Sequence, residues 1–237
     1  MATFGASMSN HSVLPQPSVF VFDIRIDEPV NMLTDLIISA VCLIAYYKLT
    51  KKQLPGNAQR YFRWYFLLMG LATLFGGVIG HGFLYAFSFA WKLPGWIISM
   101  FSIALIERSS IEYARPHINP RVGKFFLILN VIELFTVMAI TIYTLNFQWV
   151  EFHSGYGLLA VVLTFHGFVY LKTRDKGSGL IIIGVGIASI AALIFMNEIS
   201  PSIWFNHIDL SHVIMAVAAQ MFYNGAIQLR NDATNHH

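Results

Sequence analysis

Two histidines in otherwise apolar segments are the residues best placed to do chemistry. His81 lies near the end of one apolar run, and His212 lies in a polar cluster, Asn206 to His212, that opens the last run. An ionisable side chain within lipid is costly, so it tends to persist where it binds or reacts. The search for function therefore begins with these histidines and their polar neighbours.

The cluster that opens the last apolar run has the ligand types of a metal site. Asp209 and His212 are separated by about 60° around a helix, so both can reach one ion. Imidazole and carboxylate ligands with one open position are typical of catalytic zinc. We expect His81 to supply the third ligand, and His207, about 140° around the helix from His212, to join only if the helix is distorted. The alternative is a hydrogen-bonded polar plug without metal.

Three polar residues at the start of the first apolar run form a second candidate group. Glu28, Asn31 and Asp35 follow the spacing i, i+3, i+7, which places them on one helix face. Glu28 and Asn31 are interpreted either as a cap of the helix, since acidic residues favour a helix N-terminus, or as ligands of a second cation. For Asp35 we favour plain packing.

The composition indicates an all-α, seven-helix transmembrane bundle. The chain is 56% hydrophobic and 11% charged, with a mean hydropathy of +0.61, against about 25% charged residues in ordinary soluble domains. Its apolar blocks have the length of about 20 residues that crosses a bilayer as a helix. We predict one integral membrane domain over 1–237, with an outer tail (1–27), helices within about 31–229 and a cytoplasmic tail (230–237). The predicted spans are 31–50, 62–88, 94–113, 123–145, 152–171, 178–197 and 207–229.

The distribution of lysine and arginine predicts the orientation. Thirteen of the fifteen lie on one side of the predicted spans, and only Arg25 and Lys92 lie on the other. The positive-inside rule then places the N-terminus outside and the C-terminus in the cytoplasm. Because the basic residues are spread over short loops, the net charge of +3 does not indicate nucleic-acid binding.

This orientation sorts the remaining polar residues by depth. We expect His153 near the outer end of its helix, in the same layer as His81 and His212. Glu107, with His117 and His166, is expected toward the cytoplasmic side and away from that site. Asn130 and Glu133 share a face in mid-membrane, and we interpret them as a mutually hydrogen-bonded packing pair rather than a proton relay.

The layout resembles the alkaline ceramidases, which belong to a superfamily of seven-helix metal-dependent membrane hydrolases that includes the adiponectin and progestin receptors. Glu28 and Asn31 match the family's E-x-x-N stretch, His81 matches the zinc histidine that ends helix 2, and His212 matches the second histidine of H-x-x-x-H in helix 7. Gly77 stands where the family has serine, and Ile208 stands where it has the first histidine of helix 7. The resemblance implies zinc held by histidines and a calcium site that includes the glutamate, to which Asp23 and Asp27 could add oxygen ligands.

The leading hypothesis is a membrane-embedded, zinc-dependent hydrolase of a lipid amide or ester. His207 or Asp209, whichever does not bind the metal, is the candidate proton acceptor. Two other hypotheses stay open: a non-enzymatic receptor-like or transport protein that binds a ligand or ion at the outer cluster, and an accessory subunit in which the histidines only satisfy one another. The sequence does not specify the oligomeric state or the host membrane.

Overall fold

The described residues, 16–229, form seven helices and one short hairpin in a computed structural model. The parts of the predicted tails at 1–15 and 230–237 lie outside the described residues. The helices are α1 (Pro29–Lys52), α2 (Asn57–Gly82), α3 (Leu93–Ala114), α4 (Pro120–Thr144), α5 (Gln148–Thr173), α6 (Lys176–Met196) and α7 (His207–Ala226). The all-α prediction is confirmed.

Six helices, α1 to α6, are long and apolar enough to cross a membrane. Large apolar side chains cover their outward faces; in α4, for example, Phe125, Ile132 and Phe135 are each more than half exposed. Such a surface would be an aggregation hazard in water and is what a lipid-facing helix requires. α7 is not among the six, because its first two turns carry polar residues.

Helix boundaries follow the predicted spans within a few residues, with one larger difference. α2 was expected over 62–88 but runs from Asn57 to Gly82. Its last seven residues, Gly76–Gly82, form a π-helix, and a bend and short 3₁₀ turns follow. A second π segment, Tyr156–Val162, interrupts α5. Single π turns inside α-helices occur frequently at functional sites.

A small hairpin precedes α1, where the sequence indicated only a tail. Strand β1 (Val19–Val21) pairs antiparallel with β2 (Ile24–Ile26). The connecting residues Phe22 and Asp23 both adopt positive φ, as a tight two-residue hairpin turn requires. The hairpin leads directly into the N-terminus of α1.

α1 packs against both α2 and α7, and this placement assembles the polar residues. The core that supports it includes Phe62 and Phe66 of α2, Ile181 of α6 and Phe222 of α7, all fully buried. Glycines permit the close approach of α2 to α1: a Cβ at Gly77 would lie 2.9 Å from Asp35 Cβ and 3.0 Å from Met32 O. The polar face of α1 is thereby brought between His81 and His212.

Candidate functional site

Backbone hydrogen bonds join the end of α2 to the start of α1. Asp27 N–H donates to Gly82 O (3.0 Å) and Glu28 N–H donates to His81 O (3.3 Å). These bonds come from the π segment, whose glycines leave its backbone open to α1. The side chains of Glu28 and His81 are consequently held beside each other.

His81 is oriented by the carboxylate of Glu28. Its Nδ1 is hydrogen-bonded to Glu28 Oε2, which also accepts from Asn31 Nδ2 (3.2 Å). Burial raises the pKa of Glu28, but the hydrogen bonds and charge of His81 and the hydrogen bond from Asn31 outweigh it, so the pKa lies below its usual range. An ionised carboxylate only accepts, so Nδ1 of His81 carries a proton, and Nε2 presents a lone pair whenever the ring is neutral.

His212 is oriented in the same way by Thr34. The Thr34 hydroxyl lies 3.0 Å from Asn31 O and 3.4 Å from Asp209 Oδ1, and either oxygen can accept its one proton. When one of them does, His212 Nδ1, 3.1 Å from Thr34 Oγ1, donates to that oxygen. In this tautomer the lone pair of His212 is on Nε2.

Both free histidine nitrogens face the carboxylate of Asp35. His81 Nε2 lies 3.8 Å from Oδ2, and His212 Nε2 lies 3.6 Å from Oδ1. These distances exceed those of ordinary hydrogen bonds. Asp35, expected only to pack, therefore lies near both histidines, and a cation among the three side chains would be stabilised by the carboxylate and the two imidazoles.

The donor types are those of a zinc site, but the ligand atoms of Asp35, His81 and His212 do not all lie within 4.8 Å of one another. Zinc binds imidazole nitrogen and carboxylate oxygen at about 2.0–2.2 Å in tetrahedral geometry, which puts neighbouring ligand atoms about 3.3 Å apart. Each histidine also has the partner typical of a metal ligand, because its other ring nitrogen donates to an oxygen that fixes the ring. Zinc binding by Asp35, His81 and His212 would therefore require their ligand atoms to move closer together.

Asp209, expected as a zinc ligand, has another role in the structure. Its Oδ2 accepts from Asn206 N–H (2.8 Å) and Gln16 Nε2 (3.2 Å), while Asn206 Oδ1 accepts from the backbone N–H groups of Ile208 and Asp209. This reciprocal capping box begins α7 and explains the polar cluster locally. Asp209 reaches the histidines only through Thr34.

His207, the other candidate proton acceptor, lies away from this group. Its Nδ1 is 3.2 Å from Ser200 Oγ, and its ring packs against Phe195. Both partners belong to α6 or to the segment between α6 and α7. As the first residue of α7, His207 points to the opposite side of the helix from His212, as their angular separation predicts.

The cap interpretation of Glu28 is wrong, because its side chain makes no capping hydrogen bond although the residue occupies the N-cap of α1. Gln16 takes that role: its Oε1 accepts from the N–H groups of Val30 (2.8 Å) and Asn31 (3.3 Å). Asn31 Oδ1 is buried without a hydrogen-bond partner. Of the other oxygens considered for calcium, Asp27 Oδ1 pairs with Arg25 Nε at 2.6 Å.

A second polar group was missed because its members were assigned to different depths. Glu107, Glu133 and His153 place ligand atoms within 4.8 Å of one another. The expected Asn130–Glu133 pair is wrong, since Asn130 Nδ2 donates to Glu107 Oε2 and Glu133 binds His153. Glu107 and Glu133 were singled out separately, but no spacing within one helix reveals contacts among α3, α4 and α5.

Comparison with known proteins gives a family and no function. Neither the curated proteins nor the solved structures include a match to this chain. The model of a family of unknown function, DUF6962, matches residues 30–231 and so spans all seven helices. The chain belongs to this family of unknown function, DUF6962.

Proposed function

We propose that this chain is a multi-pass integral membrane protein that hydrolyses a lipid amide or ester at a zinc centre formed by Asp35, His81 and His212. The observation that carries the proposal is the approach of both Nε2 atoms to the two oxygens of Asp35, at 3.8 and 3.6 Å. The contacts of His81 Nδ1 with Glu28 and of His212 Nδ1 with Thr34 support the proposal, because each would leave Nε2 free for the metal when Nδ1 donates. This donor set revises the sequence-based one by placing Asp35 where Asp209 was expected.

In the proposed centre, some residues would bind the zinc ion and others would orient the residues that bind it. Zinc bound by two imidazoles and a carboxylate supplies a Lewis acid and lowers the pKa of water toward 7. Glu28 and Thr34 keep the ring protons on Nδ1 of His81 and His212, so that both Nε2 atoms remain free. Asp209 acts as a positioning residue, because its Oδ1 contacts the Thr34 hydroxyl that accepts from His212.

A lipid substrate is favoured by the location of the centre among apolar helices. Its side chains are only partly exposed, 16% for His81 and 19% for His212, while the outward faces of the helices are apolar. We propose that α7 is a seventh crossing whose polar first turns are covered by α1, with the N-terminus outside. The centre would then lie near the outer surface, where acyl chains can enter between helices.

The test is metal content and lipid hydrolysis of the full chain, purified in detergent without chelators and supplied with zinc. We expect about one equivalent of zinc at this centre, lost in Asp35→Asn and His81→Ala, and retained in His207→Ala, whose side chain lies outside the site. Hydrolysis of ceramide and of ester lipids should be lost in the same two variants. Asp35→Asn preserves side-chain volume, so loss of zinc in a variant with unchanged elution would not reflect unfolding.

The outcomes separate the hypotheses. Zinc bound at this centre without hydrolysis of any lipid would favour the receptor-like or transport alternative. Wild-type protein that binds no zinc through Asp35 would overturn the centre and leave a hydrogen-bonded plug, as an accessory subunit would have. Calcium is not part of the proposal, because Glu28 binds His81 and Asp27 binds Arg25.

A further inference from the structure

A second buried polar group lies inside the bundle, separate from the first centre. It is formed by Glu107 of α3, Glu133 of α4 and His153 of α5. Glu107 and His153 are fully buried, and the Glu133 side chain is 11% exposed. Two carboxyl groups and an imidazole at this position need compensation, since apolar helices surround them.

His153 has the hydrogen-bonding pattern of a metal ligand. Its Nε2 lies 2.9 Å from Met100 O, and because a carbonyl only accepts, Nε2 carries a proton. Nδ1 lies 2.9 and 2.8 Å from Glu133 Oε1 and Oε2, so it donates to that carboxylate when it carries a proton and presents a lone pair to an ion when it does not. A ring fixed by donation from its other nitrogen to a backbone carbonyl is typical of metal-binding histidine.

Glu107 gives independent evidence that an ion binds beside its carboxylate. Its Oε2 accepts from Asn130 Nδ2 at 3.0 Å, but its Oε1 is buried and has no hydrogen-bond partner. A buried acceptor without a partner is destabilising, and more so if the group is charged. In native structures such an unpaired buried atom needs an explanation, and a bound ion is one of the common explanations.

The backbone of α5 makes room for this carboxylate. A Cβ at Gly157 would lie 2.5 Å from Glu107 Oε1 and 2.6 Å from Ile103 Cγ2. Gly157 belongs to the π segment Tyr156–Val162, which begins three residues after His153. The same irregular stretch of α5 therefore accommodates Glu107 and follows the helical turn that presents His153.

We infer that Glu107, Glu133 and His153 form a second metal site, for a divalent first-row transition-metal ion. With the ion in place of a proton on His153 Nδ1, two ionised carboxylates and a neutral imidazole would carry a charge of about −2, which a divalent ion balances. Mixed nitrogen and oxygen ligands suit such ions better than calcium or magnesium, which prefer oxygen alone. The ion would cross-link α3, α4 and α5, whereas the first centre joins α1, α2 and α7.

The experiment counts zinc in the full-length protein with the first centre disabled by Asp35→Asn. This background should bind about one zinc, and Glu107→Gln in the same background should bind none. Glu112→Gln is the matched control, because Glu112 lies on the same helix and pairs with Arg115 at the surface; it should keep its zinc. Cobalt substituted for zinc should give visible absorption bands that are lost in His153→Gln, which identifies the nitrogen ligand.

The same measurements distinguish failure of this site from failure of the proposed function. Zinc lost in Glu107→Gln but unaffected by Asp35→Asn supports the second site and overturns the first. Wild-type protein whose zinc depends only on Asp35 overturns the second site. If the wild-type protein binds no metal and the Glu107→Gln variant is more heat-stable than the wild type, the second site is also overturned. That result would show that His153 and Glu133 share a proton instead.

Discussion

Thr34 Oγ1 lies 3.1 Å from His212 Nδ1 and thereby connects the first polar turn of α7 to α1. The same oxygen is 3.4 Å from Asp209 Oδ1, so the hydroxyl relates the capping box of α7 to the proposed metal centre. One residue on, Asp35 contacts the other nitrogen of the same imidazole. Two consecutive residues of α1 thus hold both sides of His212.

Removal of the Thr34 hydroxyl should weaken zinc binding although Thr34 is not a ligand. Thr34→Val keeps the shape but cannot accept from His212 Nδ1–H, so the ring is free to move its proton to Nε2. Loss of such a partner typically lowers metal affinity about 10–100-fold. Competition with a zinc-binding dye measures the change. Thr34→Ser should retain most of the affinity, and equal affinities for wild type and Thr34→Val would contradict the role assigned to Thr34.

Introducing at Gly77 the serine found in the ceramidases should destabilise this chain. The new Cβ would lie 2.9 Å from Asp35 Cβ and 3.0 Å from Met32 O, neither of which is the end of a flexible side chain. Overpacking of this kind costs about 1–3 kcal/mol. Unfolding in detergent measures it, with Gly186→Ser as control because a Cβ there meets nothing within 4 Å. A Gly77→Ser protein as stable as the control would refute the close packing of α2 on α1.

Two glycines of α5 should respond differently to alanine. A Cβ at Gly157 would lie 2.5 Å from Glu107 Oε1, whereas a Cβ at Gly155 has nothing within 4 Å. We expect Gly157→Ala to cost about 1–3 kcal/mol of unfolding free energy. Gly155→Ala should be neutral or slightly stabilising, because alanine favours the helix. Thermal unfolding of both variants tests this, and the opposite order would remove Gly157 from the second site.

The orientation is tested by a reporter fused after His237. The excess of lysine and arginine on one side predicts a cytoplasmic C-terminus, so a reporter that works only in the cytoplasm should be active. Fusion within the loop between α6 and α7 should give the opposite result. A cytoplasmic signal from that loop would place the first centre on the inner side of the membrane and contradict substrate entry from the outer leaflet.

The helices were predictable because crossing a bilayer requires a certain length and an apolar composition, and six of the seven described helices have both. The site was predictable only in part. His81 and His212 stand out as ionisable residues in apolar runs, and the shared face of Glu28, Asn31 and Asp35 follows from helical spacing. The importance of Asp35 does not follow from helical spacing, because it depends on how α1 packs between α2 and α7.

Local sequence patterns also did not reveal the capping role of Asp209. Its spacing from His212 suits a shared metal, and the same position, three residues after Asn206, suits a capping box. The structure has the capping box, since the N–H groups at a helix start must be satisfied. Glu107 and His153 were separated for a related reason: depth assigned from position along a helix ignores the reach of a glutamate side chain.

The π segment at the end of α2 contains an extra residue, and this extra residue determines the direction in which the His81 side chain points. A π turn contains about one residue more than an α turn, and each α-helical residue rotates the chain by about 100°. Deleting one residue between Gly76 and Gly80 would let α2 continue as an α-helix and would turn His81 about 100° away from Asp35. Every side chain of the centre would still be present. A relative with the same histidine and one residue fewer in this segment would therefore lack the centre, so motif identity alone cannot assign it across the family.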